Sequence, residues 1–189
     1  MALVKQLNEF PEVAVIYEKL TRRESLNNRD LQIIDELSKE TGWSVEDIMN
    51  EIKDLDMEPS SLVDKYQKLF EKYLNEALEL KGKGDYIQAG EKLWGAVTAL
   101  IKLYAGKRNI TVAHWSHGKL FQFVKNNVDK KPIKLSGDPE ISPRDVFYKL
   151  LIEAGALHDN FYAGDLPDDA FEIVFNKVIK LIEKVKEII

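Results

Sequence analysis

Three histidines, His114, His117 and His158, are all the imidazoles in this chain. Arg108 precedes the first two, and Asn160 and Tyr162 follow the third. Imidazole exchanges a proton readily near neutral pH, and a guanidinium grips a phosphate through two parallel N–H bonds. Brought together, these groups would bind RNA or a nucleotide. Given a ribose 2′-hydroxyl as nucleophile, they would cleave the phosphodiester with His158 as acid/base, Arg108 as clamp and Asn160 as orienting group. Plainer roles stand beside these. His158 follows Ala154 by four residues on a buried stripe, as a core histidine would. Asn160 suits a helix end, Tyr162 a place under the next helix, and His114 and His117 a solvated helix start. His114-Trp115-Ser116-His117 has no matching pair of ligands elsewhere, so neither metal nor cofactor is expected.

Whether the candidates meet depends on the helices that carry them. From Ser61, Leu62, Tyr66, Leu69, Phe70, Tyr73, Ala77 and Leu80 repeat at helical spacing as far as Gly82 and Gly84. Asp85 caps a second helix with Ala89, Leu93, Ala96, Val97 and Leu100 inward; Gly90, Gly95 and Ala96 on it would admit a close neighbour. A shorter helix starts at Ser116. After a long Pro- and Gly-containing connection from Asn127, Ser142-Pro143 starts a fourth and Pro167 a fifth. The fold class is all-α, an antiparallel four- to five-helix up-and-down bundle over 59–189. Short connections make successive helices antiparallel, which puts Lys107, Arg108, His114, His117, His158, Asn160 and Tyr162 at one pole. Glu91 falls at the other pole, too far to partner His158 within one chain. Trp94, Trp115 and Tyr104 read as core rather than as platforms for stacked bases.

Residues 1–58 form a small helical region with candidates at 12–20, 29–40 and 44–55, and Met57 to Ser61 is the boundary. Gly42 ends the second of these helices, and Ser44 caps the third with Asp47 at the capping-box position. The outline is that of a helix-turn-helix. However, the region carries 7 Lys and Arg against 14 Asp and Glu, while the rest carries 20 against 18. That sign repels a nucleic-acid backbone, so a packing or partner-binding appendage is the better reading. With no cysteine there are no disulfides, thiolate nucleophiles or cysteine metal sites. No apolar run spans a bilayer and the start lacks a signal-peptide pattern, so a cytoplasmic protein is expected.

Two stretches carry a family resemblance: Gly84-Asp85-Tyr86-Ile87-Gln88-Ala89-Gly90-Glu91-Lys92-Leu93-Trp94-Gly95-Ala96 and Leu157-His158-Asp159-Asn160-Phe161-Tyr162, supported by Leu74-Asn75-Glu76-Ala77-Leu78. With these, residues 61–189 resemble the archaeal PaREP-type proteins of the HEPN superfamily. The resemblance implies a helical bundle that often forms homodimers, with RNA or nucleotide binding as its theme. It also implies toxin–antitoxin settings, often with a small nucleotidyltransferase as partner. Many such proteins are metal-independent ribonucleases whose active pattern is an arginine, four to six residues, then a histidine. In this chain His158 stands at the arginine's place and no histidine follows. Arg108 to His114 has the spacing but lies in the loop after the second bundle helix. Binding of RNA or a nucleotide at the His158 end, without catalysis, is therefore the leading expectation, and the alternatives are an antitoxin-like or structural interaction module or a metal-independent ribonuclease.

Overall fold

The helix from Tyr86 to Lys107 carries apolar residues on every side, and a helix of that kind belongs at the centre of a domain. In the computed structural model, which describes residues 10–112, 116–137 and 139–189, every residue from Leu93 to Gly106 on this helix is buried. The described residues hold eight α-helices: α1 (Pro11–Arg22), α2 (Asn28–Thr41), α3 (Val45–Lys53), α4 (Val63–Gly82), α5 (Tyr86–Lys107), α6 (His117–Asn127), α7 (Pro143–Ala163) and α8 (Asp168–Ile188). A 3₁₀ turn, Pro59–Leu62, leads into α4. None of these helices is long and apolar enough to cross a membrane.

The starts and stops follow local chemistry. Asn27 and Asp30 form a reciprocal capping box for α2; Ser44 caps α3 by accepting from the Asp47 N–H, and Ser142 caps α7 with Pro143 in its first turn. Gly42 and Gly164 close α2 and α7 in the left-handed conformation, at φ +70 and +64.

Cross-helix contacts fix the directions. Lys92 of α5 reaches Glu76 of α4, and Lys81 at the end of α4 pairs with Glu172 at the start of α8 at 2.6 Å. Tyr104 near the end of α5 meets Phe147 near the start of α7, at 4.8 Å between centroids. Gly90 near the start of α5 lies against Leu157 near the end of α7. So α7 finishes beside the beginning of α5, opposite to the expected placement.

The reason lies in α6. Trp94 meets His117 and Tyr104 meets Phe123, so α6 runs alongside α5 in the same direction. Consecutive helices α5 and α6 are therefore parallel, instead of antiparallel as expected. The Asn127–Ser142 connection then stays near the end of α5. It is pinned by reciprocal bonds between Ile133 and Ile141, by the Arg144 guanidinium on the Val128 carbonyl, and by Ser136 N–H on Glu187.

Candidate functional site around His158

One face of α5 carries Glu91, Trp94, Gly95, Thr98 and Lys102, at the three- and four-residue steps that align side chains on a helix. Polar groups on a buried helix need partners, because an unmade hydrogen bond there costs about 1–3 kcal/mol. Each finds one. Trp94 Nε1 donates to the Glu40 carbonyl at 2.9 Å, and Thr98 donates to the Thr41 carbonyl at 3.0 Å. The Gly95 carbonyl accepts from Trp43 Nε1 at 2.9 Å. Lys102 Nζ reaches Glu51 at 2.6 Å, and Glu51 also takes Lys65 at 2.8 Å and the Tyr66 hydroxyl at 3.0 Å. This row clasps residues 40–51 onto the bundle. Sequence reasoning missed it, although polar residues spaced along an otherwise apolar helix were the available signal.

Glu91 is the member that meets a histidine. Its Oε2 lies 2.6 Å from Nδ1 of His158, with both residues buried. The expectation that these two lie at opposite poles is overturned, because α7 ends where α5 begins. A carboxylate at Glu91 accepts only, so Nδ1 of the ring is the donor in this contact. His158 stacks on Trp94 at 5.4 Å, and His117 packs on both, at 5.0 Å from His158 and 4.4 Å from Trp94. Tyr162 sets its edge to His158 at 5.4 Å and donates to the Lys39 carbonyl at 3.3 Å.

The structure thus brings His117, His158 and Tyr162 together, adds Glu91, and separates Arg108 from them. Arg108 caps the far end of α5, where it stacks on Tyr104 at 3.7 Å and donates to the Ile188 carbonyl at 3.4 Å. From Glu91 to Arg108 the helix rise amounts to roughly 25 Å. Lys107 lies beside Arg108, so the expected cationic half of the site is absent from the histidine pole. Asn160 is buried as the brace of the α7–α8 turn: Oδ1 accepts from Leu166 N–H at 2.8 Å, and its carbonyl accepts from Gly164 N–H. His114 and Trp115 lie outside the described residues. Trp94 and Tyr104 are core, as expected. No group of three His, Cys, Asp or Glu among the described residues is placed to hold a metal ion.

Carboxylates act on the titratable groups at this pole. Burial, then the carboxylates of Glu91, Glu40 and Asp35, push the Tyr162 phenol up to about 12. Burial, then the neighbouring His158, hold the His117 ring below its ordinary value of 6.5, against the pull of Glu40, Asp159 and Glu91. The Nε2 of His117 is buried and has no hydrogen-bond partner among the described residues. Because the folded chain binds this proton more weakly than the unfolded chain, the contribution is complete above pH 6.5 and is lost as pH falls below it. We expect the urea midpoint to drop between about pH 7 and pH 5. We expect His117→Phe to flatten that slope; a slope unchanged by the substitution would assign the titration elsewhere.

Residues 65–182 match the model of a family described as the archaeal PaREP1/PaREP8 family. No curated protein and no solved structure matches the chain.

Proposed function

We propose a function for this chain, which belongs to the archaeal PaREP1/PaREP8 family: it is a non-catalytic protein-interaction module built on a HEPN-like helical bundle. One observation carries this reading, the Glu91–His158 pair buried between α5 and α7. A ring committed to an internal carboxylate serves the fold. Three of the other described candidates are similarly committed, Asn160 to a turn, Tyr162 to the Lys39 carbonyl and Arg108 to the end of α8, and His117 is the exception. The acidic carboxylates around the pole also repel a phosphodiester, whose binding draws chiefly on Lys and Arg. An antitoxin-like or assembly role fits such a module, with a second copy or a small nucleotidyltransferase as partner.

RNA or nucleotide binding is the second reading, and the unpartnered Nε2 of His117 beside His158 favours it. Two adjacent imidazoles are the groups a metal-independent ribonuclease would use as acid and base. Incubation with labelled single-stranded RNA separates the two readings. We expect neither cleavage nor saturable binding by the wild-type chain at physiological salt. Cleavage or binding that is lost in His117→Gln and in Tyr162→Phe would overturn the interaction reading.

A further inference from the structure

We infer that the cavity between the ends of α3 and α5 binds a small aliphatic amine as its ammonium ion, a site separate from the histidine pole and independent of both readings above. The cavity holds about 130 Å³. That is slightly less than the roughly 150 Å³ that accepts a six-carbon ring, so its occupant has about six heavy atoms or fewer. Three stretches enclose it: residues 51–59, residues 102–105 of α5, and residues 110–112 beyond that helix. Cross-bonds tie the three together. Lys102 Nζ joins α5 to the other two, reaching Glu51 at 2.6 Å and the Val112 carbonyl at 3.3 Å. Asn109, at φ +53, accepts the Ser60 N–H through its Oδ1 at 3.1 Å. The Pro59 carbonyl packs on Gly106 so closely that a Cβ there would stand 2.9 Å from it. A cavity fixed in this way exists before its ligand arrives.

The lining sorts by depth, and that selects the occupant. Inside lie the buried Lys102–Glu51 pair and the apolar surfaces of Leu62, Ala105 and Val112. At the mouth Asp56, Met57 and Glu58 are exposed. Four carboxylates, Glu51, Asp54, Asp56 and Glu58, line the space against one ammonium, Lys102. Lys65, outside the lining, pairs with Glu51 and with Asp54, each at 2.8 Å. Asp56 and Glu58 are thus the two charges left without a counter-ion among the described residues. Charge of one sign at the rim of a low-dielectric cleft concentrates ligands of the other sign and turns away its own, so anions are excluded. A metal ion has no use for apolar walls, and no group of three His, Cys, Asp or Glu among the described residues is placed to hold one. An ammonium on a short alkyl chain uses both parts, its head between Asp56 and Glu58 and its chain against Leu62, Ala105 and Val112.

Titration of the full ¹⁵N-labelled chain with n-butylamine at neutral pH and low salt tests this, with 1-butanol and butyrate as controls of the same length. We expect saturable shifts with a Kd of about 1 mM for the amine. They should cluster at the backbone amides of residues 55–58 and 110–112. The uncharged alcohol should bind about tenfold more weakly, and butyrate should leave those amides in place. Asp56→Asn combined with Glu58→Gln should weaken the amine about tenfold. Both positions are exposed, so circular dichroism of that variant should match the wild type. Absence of saturable shifts with the amine, shifts clustered elsewhere, an alcohol that binds as well, or a double variant that binds as the wild type does overturns the inference. The RNA assay reads a different pole, so its outcome and this one do not bear on each other.

Discussion

Glu91→Ala should lower the unfolding free energy by about 3 kcal/mol. The substitution leaves the Nδ1 of His158 buried with no acceptor, and it opens a space between α5 and α7 beneath Trp94. Both effects act in the same direction, loss of a partner and loss of packed volume. Glu91→Gln keeps an oxygen that accepts the Nδ1–H and should cost about 1 kcal/mol. Urea titrations of the two variants near neutral pH check the pair. An alanine variant as stable as the glutamine one would mean that the contact does not hold the helices together.

Gly42→Ala should cost about as much for a different reason. Gly42 has φ +70, where a side chain adds about 1–2 kcal/mol of backbone strain. A Cβ there would also stand 2.7 Å from the Glu91 carbonyl oxygen and 2.8 Å from the Gly95 nitrogen. Those atoms are backbone of the central helix and cannot swing aside, so overlap adds about 1–3 kcal/mol. Gly95→Ala meets the Gly42 carbonyl oxygen at 2.8 Å from the other side and should behave alike. The same displacement would lengthen the bonds from Trp43 and Thr98, so the two substitutions together should cost less than the sum of each alone. Thermal unfolding measures this; a change of a few tenths of a kcal/mol would show that residues 40–51 can lift from α5 without cost.

Helix identities were legible because they rest on neighbours in sequence. The Ser44 cap with Asp47, the Gly42 terminus, Ser142-Pro143 and the apolar stripe of α4 each declare themselves within a few residues. Gly90 and Gly95 also announced a close neighbour correctly, Leu157 for one and Gly42 for the other. What could not be read was which helix ends meet. Short connections predict antiparallel neighbours, and no residue from Arg108 to Val112 signals that α6 runs parallel to α5. That one step reverses α7 relative to the expectation. It brings Glu91 to His158 across 67 residues and carries Arg108 away from both. The Glu51–Lys102 pair was hidden likewise, since a charge on a predicted helix reads as solvent-facing until its partner is placed.

The ring nitrogens themselves report most directly on the claim that the imidazoles at this pole serve the fold. In ¹⁵N-labelled chain, we expect a strongly hydrogen-bonded Nδ1–H proton on His158 that disappears in Glu91→Ala. This signal and those of His117 should stay in place when single-stranded RNA or a nucleoside monophosphate is added. A saturable shift of the His158 and His117 resonances on adding either would contradict it.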